Sequence, residues 1–570
     1  MEVAKRQIRK EAEEHLFYKT ESTQFLSFDR ASKESPLVTR NDRLQKEDDE
    51  APYALLLSKG ETTPRNLTCL SWKATDECSP FGPRNPEKDL GCFDAIPFGE
   101  SGYCEVEDME TGEHLQAMRL YCSSSHWDRK FGCSAAADFT NFHYKARKAT
   151  ENARVSGFRL PNIPGELIEG QKEGQRDGVV MVVYPKLVPS AYATVWTLRK
   201  VLKCQLPIEI WYLDTEFENK QDAMKPLKAL AVNNEISIIT LRKIMDRHAS
   251  GFRAKVFAIY NSHFERILFL DADNVPSRDP SFLFSSPEFV ENGAVFWPDF
   301  WHPGHTIFNI NNQSILWELL DMPFIDMFEQ ESGQILIDRR RHAEALELVK
   351  FYTFYQPSYF DQMKLVHGDK DLFRLAWLKL DASFHMIKTP PAIAGKIVNG
   401  TFCGLTMVQH DAQGNVLFLH RNSHKLMGES LRGQMNYKSR AIAWSKKKTE
   451  MRQKFRQEGK KVPDWSEMKS IFQTEEIPAP TLEAPEPDGY PDSVVWTHLL
   501  SFNNTYEQEN YHVMTYNAYP DFPRLQNCYG QRNVSKAEHF YTQNVTDLPF
   551  AGLEAELRRF AAEAVEIKQA

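Results

Sequence analysis

The chain has 570 residues, 42% of them apolar, 12% aromatic and 26% charged, a balance that excludes a wholly disordered, collagen-like or low-complexity protein. A net charge of −9 leaves no global footprint for nucleic-acid binding. The length accommodates one large catalytic domain with appendages, or roughly three to four average domains.

Residues 1–62 are charged and lack sustained periodicity, which predicts a flexible tail or stalk. The opening MEVAKRQIRKEAEEH carries no apolar core of a signal peptide. No later run approaches the ~18 apolar residues of a spanning helix. Residues 63–140 form a cysteine-rich module containing Cys69, Cys78, Cys92, Cys104, Cys122 and Cys133 in a Pro/Gly-rich setting. An even-numbered cluster of this kind predicts a small disulfide framework whose pairing stays open. No CxxC pair is present, which disfavours zinc. Asn-x-Ser/Thr acceptors begin at Asn66, Asn312, Asn399, Asn503, Asn533 and Asn544. Cysteines and acceptors together point to the secretory-pathway lumen. A membrane anchor would then lie upstream of Met1, removed or never included.

An α/β domain is expected over residues 170–430. Val179 to Tyr184 is an apolar run of buried-strand length, followed by a helix with Ser190 as N-cap. Further strands are expected at Ile208–Leu213, Ile236–Thr240, Arg266–Leu270, Gly293–Phe296, Gln334–Ile337 and Val416–Leu419. Helices are expected at Gly251–His263, Ala343–Tyr352 and Asp371–Leu380. The strand–helix alternation predicts a mostly parallel sheet with helices on both faces. Residues 431–473 read as a basic helical segment, with ten Lys/Arg and two acidic residues between Lys438 and Lys461. Residues 474–570 read as an acidic, Pro-rich linker and C-terminal extension, ending in an amphipathic helix over Leu553–Lys568 that packs on the body or a partner.

The most informative segment is ERILFLDADNVPSRDPSFLF, where Asp271 and Asp273 flank Ala272 directly after a buried strand. Ligands collect beyond the carboxyl ends of such strands. Two carboxylates there suit Mn²⁺ or Mg²⁺ and the phosphate oxygens of a nucleotide. A strand-ending Asp followed by a turn Asp is the plain alternative. The segment resembles the Asp-x-Asp signature of sugar-nucleotide glycosyltransferases with the GT-A fold. More narrowly, it is similar to the fungal-type Golgi α-mannosyltransferase family, glycosyltransferase family 71. The likeness is carried, in order, by GFRAKVFAIYNSHFERILFLDADNVPSRDPSFLF, GAVFWPDFW, ESGQILIDR, HGDKDLFRLAW and MVQHDAQGNVLFLHRNSHK. It covers roughly Gly178 to Leu426.

The resemblance implies a GT-A-like (Rossmann-like) fold, metal ligands Asp271, Asp273 and His420, and a GDP-mannose donor. His410 is the rival histidine, and a hydrogen-bonded core role fits it as well. Tyr184, Lys255, Gly333, Gln334 and Lys425 join the aspartates in the expected donor-binding set, Lys425 as a point charge on the diphosphate. Gly333 also fits a plain turn before the strand ILI. Glu331, Asp369 and Asp371 are the candidate catalytic carboxylates, with helix N-capping as the plain alternative for one of the last two. Trp297, Asp299 and Trp301 form an aromatic–acidic cluster suited to acceptor sugars, with core packing as the alternative for the rings. The implied reaction is retaining transfer of mannose to a glycan hydroxyl on glycoproteins in the Golgi. A UDP-sugar donor is the second enzyme reading, and a catalytically silent glycan-binding module on the same fold is a third of another class.

Overall fold

The computed structural model describes residues 63–163 (except 125, 127, 128 and 130), 176–233, 238–429, 450–463, 486–518, 521–522 and 527–569. The expected stalk over 1–62, much of the basic segment and the Pro-rich stretch before Glu486 lie outside them.

Three antiparallel strands, β1 (Leu67–Thr75), β2 (Ser101–Asp108) and β3 (His114–Leu120), build the first sheet. The pairing left open by the sequence is Cys69–Cys92, Cys78–Cys122 and Cys104–Cys133. The module docks on the rest of the chain through Glu318, which accepts from the backbone N–H groups of Met118 (2.7 Å) and Arg119 (3.0 Å).

The second sheet contains β4 (Asp177–Val183), β5 (Ile208–Leu213), β6 (Ile239–Ile244), β7 (Arg266–Leu270), β9 (Ala294–Pro298), β10 (Gln330–Asp338) and β11 (His385–Met386); the short β8 (Asn274–Pro276) belongs elsewhere. Their order is β11-β9-β10-β7-β4-β5-β6. Strands β6, β5, β4 and β7 run parallel, while β10 is antiparallel to both its neighbours. The expected mostly parallel α/β sheet is therefore present. Its continuous apolar runs reflect burial on both faces. Ile267 and Phe269 of β7 point into one core with the helices Arg253–Asn261 and Ala343–Phe354. Leu268 and Leu270 point into another with the helices Val188–Trp196 and Leu553–Gln569. Winding reverses between β4 and β7, and that switch opens a crevice at their carboxyl ends.

The third sheet contains β12 (Ala392–Val398), β13 (Thr401–His410), β14 (Val416–His420), β15 (His498–Phe502), β16 (Met514–Asn517), β17 (Asn527–Gly530) and β18 (Phe540–Asn544), with β8 paired to β14. The chain from 486 onward is thus built into the body: β15 lies between β12 and β18, and Cys403–Cys528 ties β13 to β17. Cys403 and Cys528 carried no pairing signal in the sequence, being 125 residues apart. Cys204 is the remaining thiol and is buried. Alkylation of the denatured, unreduced protein should label one cysteine, Cys204; labelling of Cys403 or Cys528 would contradict the pairing.

The terminal helix is anchored by Glu554, whose carboxylate accepts from Val495 N (2.8 Å), Trp496 N (2.9 Å) and Arg421 Nη1 (2.6 Å). Removing it takes the carboxylate from a buried guanidinium and the acceptor from two backbone N–H groups. Glu554→Ala should cost about 3 kcal/mol, read as a lower urea midpoint.

Two local expectations differ. The helix after β4 starts at Val188, with Pro189 in its first turn and Ser190 buried inside it rather than capping. Strand β6 spans Ile239–Ile244 instead of Ile236–Thr240.

Candidate active site

Strand β7 delivers the Asp-x-Asp turn to the crevice. Asp271 N donates to Gly333 O (2.8 Å) and Asn274 N to Asp271 O (3.0 Å), closing the turn against β10. Ala272 is buried beneath it. His420 ends β14, and the β14–β8 register sets it opposite Asn274. Sequence positions about 150 apart therefore meet because β8 leads straight from the turn into the third sheet.

Ligand atoms of Asp271, Asp273 and His420 lie within 4.8 Å of one another. His420 Nε2 is 3.3 Å from Asp273 and 3.9 Å from Asp271, while its Nδ1 is 3.1 Å from Glu331 Oε1. A carboxylate on the outer ring nitrogen fixes tautomer and orientation, leaving Nε2 toward the aspartates. Two carboxylates and an imidazole so held fit Mn²⁺ or Mg²⁺. Burial disfavours charge on His420, yet Glu331 and Asp271 raise its pKa. Burial also opposes charge on Glu331, but the His420 bond and nearby Lys255 hold it down at about 2.

Glu331 and Gly333 lie inside β10 together with Gln334, not in a turn before it. A Cβ on Gly333 would sit 2.5 Å from His420 Nδ1 and 2.7 Å from Glu331 Oε1. The bare glycine makes room for the histidine. Gly333→Ala should displace the ring and weaken Mn²⁺ binding at least about tenfold, the cost of one misplaced ligand contact, as measured by Mn²⁺ titration. Gln334 is fully buried and accepts from Asn274 Nδ2 at 2.6 Å. It clamps the turn and does not reach the crevice.

Lys255, from the first turn of its helix, is buried with Nζ 3.2 Å from Asp271, 3.1 Å from Asp369 and 2.8 Å from Ser332 O. Burial works against its charge, but Asp271, Asp369 and Glu331 keep it protonated. Lys425 pairs with Asp273; burial pulls its pKa down to about 8, against the attraction of Asp271. A second buried lysine, Lys370, contacts Glu329, Asp299 (3.2 Å) and Asp371 (3.4 Å).

These groups surround a cavity of about 640 Å³. Of the residues expected from sequence, Tyr184, Lys255, Asp271, Asp273, Asp299, Trp301, Glu331, Asp369, His420 and Lys425 line it. Trp297 does not: it is fully buried, and its Nε1 donates to His410 O at 2.8 Å. Asp371 does not either, being fully buried against Arg374 (2.7 Å) and accepting from Gln330 N. It occupies the N-cap position without a capping bond. His410 is buried and held neutral, its pKa lowered to about 4; the register sets it opposite Val416, at the other end of β14. Burial pushes Asp299 up to about 7, Lys370 opposing. Sequence reasoning missed Lys370, Ser332, Glu216 and His367, all on the cavity wall. The alternating charges of GDKD were a usable signal for Lys370.

Residues 176–411 match the model of a mannosyltransferase family. The chain is 28% identical to alpha-1,2-mannosyltransferase MNN2 of Saccharomyces cerevisiae over 276 residues, 41% of this chain and 45% of that protein. It is 33% identical to alpha-1,2-mannosyltransferase MNN24 of Candida albicans over 168 residues, 24% of each. These alignments span less than half of the relatives' length. Among solved structures, the mannosyltransferase Ktr4p of S. cerevisiae in complex with GDP aligns with a TM-score of 0.27 at 11% identity, covering 47% of this chain and 82% of that one. Among the described residues, no helix is long and apolar enough to cross a membrane.

Proposed function

With residues 176–411 matching a mannosyltransferase family, we propose that this chain is a metal-dependent glycosyltransferase that moves mannose from GDP-mannose to a glycan hydroxyl on glycoproteins. The observation that carries the reading is the Asp271–Asp273–His420 cluster, oriented by Glu331 and facing a cavity large enough for a nucleotide sugar. The curated relatives are named alpha-1,2-mannosyltransferases, which favours an α-mannoside product. Retention of configuration and a Golgi location rest on the family resemblance; the disulfides fit that compartment.

Asp271, Asp273 and His420 would hold Mn²⁺ or Mg²⁺, which when bound supplies positive charge to the donor diphosphate. The protein's own groups do the rest. Lys425 stands beside Asp273, able to turn to a phosphate oxygen as the leaving group gains charge. Lys255 locks Asp271 and Asp369 in place through buried ion pairs. Asp369 faces the cavity as a fixed carboxylate for sugar hydroxyls or for positive charge developing on the ring. Tyr184, at the carboxyl end of β4, borders the end of the cavity left for the nucleoside.

A donor screen tests the reading: GDP-mannose beside UDP-glucose, UDP-galactose and UDP-GlcNAc, with Mn²⁺ and with chelator. GDP-mannose should be consumed, and only with metal. Preference for a UDP-sugar would remove the mannosyl assignment, and no turnover of any donor would favour a glycan-binding module.

A further inference from the structure

We propose that Phe252, Phe308 and His367 form a stacking platform for a hexopyranose ring of the acceptor glycan, at the end of the cavity away from the nucleoside. The proposal rests on the transferase reading above and adds the seat of its second substrate.

The sheet order lays the cavity out in a line. Glu216 and Tyr184 follow β5 and β4, the metal-facing turn follows β7, and Asp299 and Trp301 follow β9 beyond β10. A donor with its diphosphate at Asp271 and its base toward Tyr184 leaves the β10–β9 side for the acceptor. Phe308 and His367 belong to that side, and Phe252, on the loop after β6, reaches it through its contact with His367. Phe308 lies on the chain after β9, and His367 stacks on it at 5.2 Å between centroids, 26° between planes. Phe252 meets His367 edge-on at 5.6 Å. All three line the cavity, and Phe252 is 56% exposed.

The rings are held in place from behind. Lys370 Nζ sits 5.2 Å from the Phe308 centroid, a cation–π contact from the buried charge network. Gly368, at φ +63°, has no Cβ; one there would lie 2.6 Å from the Phe252 ring. Phe252 precedes the helix turn bearing Lys255, and His367 precedes Asp369 by two residues. Lys255 joins Asp369 (3.1 Å) to Asp271 (3.2 Å). Through Lys255, Asp369 lies close to Asp271, so the loop carrying His367 runs beside the metal-facing turn. Pyranose rings present a C–H face to aromatic rings and hydroxyls to carboxylates. Here Asp369 and Asp299 line the same cavity as the rings.

Binding of α-mannobiose to the full chain, followed by saturation-transfer NMR, reads the platform directly; GDP and Mn²⁺ titrations read the donor site. In Phe252→Ala/His367→Ala, mannobiose affinity should fall about tenfold, close to the ~1.4 kcal/mol expected for lost ring contacts. Phe252→Tyr should keep the wild-type signal, and Phe93→Ala, remote on the cysteine module and 93% exposed, should match wild type throughout. In turnover assays the double variant should raise the acceptor KM far more than it lowers kcat. Mannobiose binding that is absent from the wild type, or unchanged in the double variant, overturns the platform. Loss of mannobiose binding in a protein that never binds GDP supports the platform and sinks the donor assignment instead.

Discussion

Replacing both turn carboxylates, Asp271→Asn with Asp273→Asn, is expected to lower transfer at least about 10³-fold, the scale on which losing charge stabilisation of a leaving group acts. The asparagines keep the shape of the turn, whose closing bonds are made by the backbone of Asp271, Asn274 and Gly333. Lys255 keeps Asp369 and Ser332 as partners, so the variant should melt within a few degrees of wild type. Rate measurements across a Mn²⁺ series separate the two readings of the pair. A turn that merely ends a strand would leave the rate and its metal dependence intact, and that result would remove the catalytic assignment.

The largest loss of stability is expected from Lys370→Met. This cation serves Asp299, Glu329 and Asp371 at once, and all three are buried. Arg374 can compensate Asp371 alone. Stranding buried carboxylates after removing their partner costs about 3–5 kcal/mol, measurable as a lower urea midpoint. Adding Glu329→Gln should recover part of it by removing one stranded charge. The deficit should also shrink in acid. Burial has already pushed Asp299 to about 7 in the wild type. A carboxyl whose folded pKa is raised contributes stability that is complete below its unfolded value and is lost as pH rises through the folded one. For Asp299 that window runs from about pH 4 to 7, and losing Lys370 extends it upward. A deficit unchanged between pH 5 and 8 would show that Lys370 acts by packing, not by charge.

The sheet was legible because its strands are buried on both faces. Runs such as Ile208–Leu213 and Arg266–Leu270 admit no other periodicity, and the structure returns them with the same bounds. The Asp-x-Asp turn was legible for the same reason, since it follows directly from such a run. What stayed hidden depended on long-range pairing. The third sheet assembles from strands separated by a Pro-rich stretch, so the chain after 486 read as an extension although β15 lies beside β12. Glu331 and Gly333 read as a segment preceding the strand because Gly and Ser break strand patterning, yet both lie in β10, where a Cβ-free position admits His420. Trp297 and Asp371 carried the right chemistry but point away from the cavity. On a strand one residue decides which face is served, and next to a helix start the backbone decides it. Lys370 went unread because a lysine between two aspartates looks like a solvated turn until burial is known.

Manganese binding tests the central claim most directly. Titration of the full chain with Mn²⁺ in the presence of GDP, followed by electron paramagnetic resonance, should show one tight ion per chain. That site should be lost in Asp271→Asn/Asp273→Asn and in His420→Ala. No tight ion in the wild type, or an ion equally tight in those variants, would contradict the assignment of this cluster as the metal-binding centre of a sugar-nucleotide transferase.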